Sequence, residues 1–191
     1  MSLARLKKVE AHKVLGIDAS TNSIAFCIFE NDKPISYGEV IFEGSDVYER
    51  MLDAKQKMAA LRKAGFFEVD FIAIEAGVMV RSAHVAIKMA YVFGIIMGEL
   101  LSDKIDVIEV HPITWQSYIG NTNFTKAQKA AVKEEFPGKA ESWYKNKIRQ
   151  IRKQKTLDFM REKGIITESD NVADAAGLAW YAVNNLTRTN A

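Results

Sequence analysis

With one cysteine in 191 residues, Cys27, the chain can form neither an internal disulfide nor a multi-cysteine zinc site. That thiol lies in an apolar run, Ile24 to Phe29, and reads as core filling. Neither sign of charge dominates: 26 lysines and arginines face 24 aspartates and glutamates, so any nucleic-acid surface must come from uneven placement. The opening MSLARLKKVEAHK lacks the apolar middle and small-residue cleavage site of a signal peptide, and no uninterrupted apolar run approaches the length of a bilayer span. A soluble, cytoplasmic protein is expected. Repeats, low-complexity tracts and linkers are also missing, and the length suits one sizeable core, which predicts a single domain over residues 1–191.

Three strands are predicted first, at Val14–Asp18, Asn22–Glu30 and Pro34–Phe42, separated by turn residues and forming an antiparallel meander. From Asp46 to Lys63 the apolar positions Val47, Met51, Ala54, Met58 and Leu61 recur in steps of three and four, the spacing of a helix face, with Gly65 as the stop. Phe71–Ile74 reads as a buried strand running into Glu75. The segment Ser82–Leu101 reads as a helix apolar over more than an ordinary stripe, which suggests burial on two sides, one of them against a second subunit. Asp106–Val110 is a further strand and Pro112 opens a short helix to Tyr118. Thr125 caps a helix through Glu135, and helices follow over Trp143–Lys163 and Asn171–Leu186. This order predicts an α/β fold with a mixed central sheet, three antiparallel strands preceding alternating helices and strands.

Carboxylates stand out against this frame. Asp18 ends the apolar strand VLGIDAS, Glu75 ends FIAIEAG, and Asp174 sits among small residues in NVADAAGLAWYA, with Asp170 four residues before it on the same helical face. Any one of them could cap a helix or face water. Carboxylates gathered together repel, and the usual reason to gather them is a hard cation such as Mg²⁺. Two such ions can activate a water and stabilise the leaving oxygen in phosphodiester cleavage.

These residues also carry a resemblance. Gly16-Ile17-Asp18 with its polar turn and the strand SIAFCIFE resembles the opening of RuvC-like nucleases of the ribonuclease H-like superfamily. EAGVMVRSAHVAIKMAYVFG, Glu75 to Gly94, resembles the stretch holding that family's second catalytic acid, a DNA-contacting loop and a long interface helix, and NVADAAGLAW resembles its final catalytic helix. The resemblance implies a ribonuclease H-like fold in which Asp18, Glu75 and Asp174 bind two Mg²⁺ or Mn²⁺ ions as catalytic acids. It also implies a homodimer through the helix at 82–101 that recognises four-way (Holliday) junctions and cuts two strands of like polarity, leaving ligatable nicks.

Two positions depart from the family pattern. Three residues before the last acid, where the family has Asp or His, this chain has Asn171; Asp170 is taken as the fourth acid, with Asn171 open as a carbonyl ligand or a plain helix cap. Val78 and Met79 stand where some relatives insert an aromatic side chain near the branch point, so an aliphatic wedge and ordinary loop packing both remain open.

The charge imbalance lies between Lys139 and Lys155, where Lys139, Lys145, Lys147, Arg149, Arg152, Lys153 and Lys155 face only Glu141. This basic helical segment, within about residues 139–163, is an addition relative to compact resolvases and reads as a phosphate-contacting surface. The resemblance places Lys126 in FTKAQKAAV as a catalytic lysine near the scissile phosphate, with Lys129 one turn on and Arg81 and Lys88 as further DNA contacts. His111 reads as structural and His84 as surface or DNA contact. A nuclease acting on forks or RNA/DNA hybrids and a non-catalytic DNA-binding module are the alternatives; an actin-like ATPase would need about twice the length.

Overall fold

Side chains alternate across a strand, so β2 (Lys13–Ala19) sends Val14, Gly16 and Asp18 to one face of its sheet and Leu15 and Ile17 to the other. Two apolar layers form on these faces. The computed structural model describes residues 9–10, 12–77, 82–101 and 105–188; Val78, Met79 and Arg81 lie outside them. After a two-residue β1 (Val9–Glu10) and β2 come β3 (Ser23–Glu30), β4 (Lys33–Ile41), α1 (Val47–Lys63), β5 (Phe71–Glu75), α2 (Ala83–Leu100) and β6 (Asp106–Val110). The chain continues through α3 (Pro112–Tyr118), α4 (Lys126–Glu135), α5 (Glu141–Glu162), α6 (Asp170–Asn185) and β7 (Thr187–Arg188).

The central sheet has the order β4-β3-β2-β5-β6. Its first three strands are antiparallel and β2-β5-β6 are parallel, which is the mixed α/β sheet expected from the sequence. Helices α1 and α2 cover one face through Met58, Val92, Ile96 and Leu100, packed on Leu15, Ile17, Ile72 and Ile74. Helix α6 covers the other, with Trp115 from α3 and Met160 from α5 in the same core.

Helix starts follow local chemistry. The Asp46 carboxylate accepts hydrogen bonds from the backbone N–H groups of Tyr48 and Glu49, and Thr125 forms a reciprocal capping box with Gln128. Helix α5 begins at Glu141, two residues earlier than its periodicity suggests, and α6 begins at Asp170 because the Ser169 hydroxyl accepts from the Val172 N–H. The parallel pairing of β1 with β7 has no counterpart in the sequence reading, since two-residue strands carry no periodicity.

By length and composition α2 could cross a bilayer, with a mean hydropathy of 1.4 even though Lys88 and Glu99 interrupt its apolar run. Only 17% of that span is buried within the chain.

Gly16 sets the depth of α6. A Cβ there would lie 2.3 Å from the Ala175 carbonyl oxygen and 2.7 Å from the Ala179 nitrogen, both of them backbone. Gly16→Ala must therefore push the helix off the sheet. We expect a loss of about 3 kcal/mol and a fall of roughly 10 °C in Tm, read by urea and thermal denaturation; a loss well under 1 kcal/mol would mean that α6 does not rest on β2.

Candidate active site

Ile17 stands opposite Ile74 in the parallel pairing of β2 and β5, so Asp18 and Glu75 follow one residue on, at the carboxyl ends of adjacent strands. Both belong to the sheet face that α6 covers. Asp174 enters from the first turns of α6, whose small residues Ala173, Ala175, Ala176 and Gly177 are buried against that face. Three carboxylates from three elements thus lie toward one end of the sheet.

Their electrostatics show the proximity. The Asp18 carboxyl is pushed up from 3.8 to about 7, chiefly by burial, then by the charges of Glu75 and Glu39, with Lys153 pulling it down. Asp174 is pushed up to about 7 by burial, then by Asp18 and Glu75, against the pull of Lys153 and Arg152. Burial also raises Glu75, while a hydrogen bond from the Trp115 indole lowers it. Burial makes each of the three resist ionisation, neighbouring carboxylates add to this at Asp18 and Asp174, and added positive charge would relieve them.

Trp115 orients Glu75 directly: its Nε1–H donates to Glu75 Oε2 at 2.8 Å. The indole is fully buried and occupies space left by Gly177, where a Cβ would meet the ring at 2.6 Å. Nothing in the local pattern of ITWQS signals this role, because the partner lies 40 positions away.

Two clefts flank the acids. One, of about 490 Å³, is bounded by Asp18, Glu75 and Glu109 and by Ala86, Met89 and Phe93 of α2. The second, of about 340 Å³, joins Asp174 to Lys145, Arg149, Arg152 and Lys153 of α5. The basic segment therefore opens onto one of the acids.

The remaining candidates are distributed as follows. Asp170, on the first turn of α6, pairs with Lys153, and the neighbouring charges that raise Asp174 are those of Asp18 and Glu75. Asn171 neither caps the helix nor stands idle: its amide donates to Glu39 Oε1 at 3.0 Å. Glu39, on β4, is a fourth carboxylate near the site that the sequence reading passes over. Lys126 and Lys129 are exposed on α4 and line neither cleft; the lysine whose charge reaches Asp18 and Asp174 is Lys153. Arg152 is held inward by Gln116 Oε1 at 2.6 Å and the Asn121 carbonyl at 3.2 Å. Lys147 lies over the Phe136 ring, Lys155 over Phe124, and Lys88 is half-buried on α2.

The donor set fits a hard divalent cation, since all three groups offer carboxylate oxygens. Among the described residues, however, no three His, Cys, Asp or Glu side chains are gathered closely enough to form a ready-made metal-ligand group. A cation would have to draw the carboxylates inward.

The raised acids make stability depend on pH. Both bind a proton more tightly in the folded chain than in the unfolded one, so the stability they contribute is complete below 3.8 and is lost as pH rises through about 7. In EDTA the melting temperature is expected to fall between about pH 4 and about pH 7 and to level off above that, and Asp174→Asn should flatten that fall. An equally steep profile in the variant would count against the burial of this carboxyl.

No protein-family model matches the chain, and no curated protein matches it by sequence. Solved structures do. Thermus thermophilus RuvC in complex with a Holliday junction substrate is similar over 92% of this chain and 98% of that chain, with a TM-score of 0.63 at 13% identity. A second T. thermophilus RuvC structure gives 0.62 at 14% identity over the same shares, 92% and 98%. The yeast mitochondrial Holliday junction resolvase gives 0.52 at 13% identity over 93% of this chain and 80% of its own. Taken with the mixed sheet and the three acids at its end, these likenesses give the chain the RuvC-like form of the ribonuclease H-like fold.

Proposed function

We propose that this chain is a metal-dependent endonuclease that resolves four-way DNA junctions as a homodimer. The observation that carries the reading is the convergence of Asp18, Glu75 and Asp174 beside a cleft lined by Lys145, Arg149, Arg152 and Lys153. Acids alone would repel a polyanion, and a basic cleft alone would only bind it. Side by side, they hold a phosphodiester where hydrolysis can occur.

Asp18, Glu75 and Asp174 would hold Mg²⁺ or Mn²⁺, whose chemistry when bound is to activate water and neutralise phosphate charge. The chain's own residues do the rest. Trp115 fixes the orientation of Glu75, Lys153 brings a positive charge to the phosphate that reaches the acids, and Lys145 and Arg149 hold the flanking backbone. Lys126 and Lys129, exposed on α4, extend the basic surface outward. The fold is shared with a RuvC solved on a Holliday junction, which supports branched DNA as the substrate.

The dimer reading rests on α2. Ile87, Tyr91, Gly94, Gly98 and Leu101 recur in steps of four and three along its exposed side, the spacing of a helix seam. An added Cβ at Gly94 or Gly98 would meet nothing within 4 Å, so a second backbone could approach closely there. An isologous contact through this face would present one acid cluster to each of two strands of a nearly two-fold junction.

Cleavage of end-labelled four-way junction, fork, duplex and RNA/DNA hybrid with Mg²⁺, Mn²⁺ or EDTA tests the proposal. Paired, metal-dependent nicks confined to the junction are expected, and Asp18→Asn or Glu75→Gln should lower the rate on the order of a thousandfold while junction binding persists. Lys153→Ala should cost about a hundredfold. Cutting of fork or hybrid in preference would transfer the activity to that substrate, and full activity in either acid variant would overturn the site. Tyr91→Lys should yield monomers by sedimentation and lose the pairing of nicks; an unchanged dimer would exclude α2 as the seam.

A further inference from the structure

Three observations converge on Glu39. In register, Asp18 faces Ala25 and Ala25 faces Glu39, so all three side chains emerge on the sheet face that carries α6. Between the two acids stands only a methyl group, on which Val172 and Ala175 of α6 pack. Glu39 is also bound on three sides. The Ser23 hydroxyl donates to Oε1 at 2.7 Å, the Asn171 amide donates to the same oxygen at 3.0 Å, and the Ser169 hydroxyl meets Oε2 at 3.5 Å.

The last two partners belong to the start of α6. Ser169 is its cap and Asn171 its second residue, so this one carboxylate ties the beginning of the helix to β4, two strands away from β2. Asp174 is one turn further along. A helix held at its first turn cannot rotate about its axis without carrying that carboxylate away from Asp18 and Glu75.

We infer that Glu39 is a positioning residue of the active site, clasping Asn171 and Ser169 so that α6 presents Asp174 to Asp18 and Glu75. The inference rests on the reading of those three acids as the metal ligands. Asn171 thus has a use that an aspartate could not fill. Its amide can donate to a carboxylate, whereas an aspartate there would set two carboxylates at hydrogen-bond distance.

A swap of the pair tests this. Asn171→Asp alone removes the donor and is expected to weaken Mn²⁺ binding, followed by calorimetry with the metal alone, by about tenfold and to lower Tm in EDTA. Glu39→Gln alone keeps an acceptor for Asn171 and should cost about threefold or less. Glu39→Gln combined with Asn171→Asp reverses the direction of the bond, and should return Mn²⁺ affinity to within about threefold of the parent. Glu39→Ala, which leaves Asn171 unpaired, should behave like Asn171→Asp. The inference is overturned if Asn171→Asp binds Mn²⁺ as well as the parent or better, or if the double variant is no better than Asn171→Asp. Coupling in Tm with no coupling in Mn²⁺ affinity would reduce the clasp to a structural fastening and overturn the positioning role as well. A parent that binds Mn²⁺ and shows the full cycle but cuts no junction would sink the proposed substrate and leave the clasp standing.

Discussion

Everything at the end of this sheet depends on how closely α6 lies against β2. The contact is made by absence of side chain: Gly16 below, with Ala175 and Ala179 above it. A helix with larger residues on that face would stand farther off, since interiors are close-packed and relax only partly around added volume. Ala25 extends the thin layer toward β4 and Ala73 toward β5, both fully buried. At this separation the charge of a carboxylate as short as that of Asp174 is felt together with those at the strand ends. Gly177 serves the same geometry by a different route, because the space it leaves holds Trp115 against Glu75. One small-residue stripe therefore places one acid and steadies the partner that orients another.

The cost of the arrangement is electrostatic. Burial is the largest cause of the raised pKa of Asp18, of Glu75 and of Asp174, ahead of the neighbouring carboxylate charges that also raise Asp18 and Asp174. The scaffold thus keeps the acids apart from water as well as near one another, and the apolar wall supplied by Met89 and Phe93 contributes to that. A carboxylate in such surroundings gains from a cation what it has lost in hydration, so the conditions that resist ionisation also favour a hard ion once one is bound. Because ligation requires deprotonated oxygens, binding of the proposed metal would be coupled to proton release at this site.

The elements that carry the acids were legible for a simple reason. An apolar run ending in a carboxylate, as at VLGIDAS and FIAIEAG, is costly unless the acid has work to do, and the strands fall where those runs lie. Helix α1 was equally plain from its spacing of three and four. Glu39 was not, because β4 is an edge strand with polar and apolar residues alternating, and a glutamate there reads as solvent-facing. Its meaning comes from partners 16 and 132 positions away, which no local pattern encodes. Trp115 was hidden in the same way. Asn171 was open as a carbonyl ligand or a plain cap, and Ser169, two residues before it, holds the cap position.

Positive charge is unevenly placed in this nearly neutral chain. Of the basic residues on α5, several are committed to the protein itself. Arg152 binds Gln116 and Asn121, and Lys147 and Lys155 lie over aromatic rings. Those that open onto the cleft beside Asp174 include Lys145, Arg149 and Lys153. Lys153 is shared between two duties: it pairs with Asp170, and its charge reaches both Asp18 and Asp174. A phosphate entering the cleft would compete with Asp170 for this lysine, and that exchange replaces one anion by another at little electrostatic cost. Under the proposed function, the pairing of Asp170 with Lys153 would keep the lysine beside the acids until a phosphate arrives.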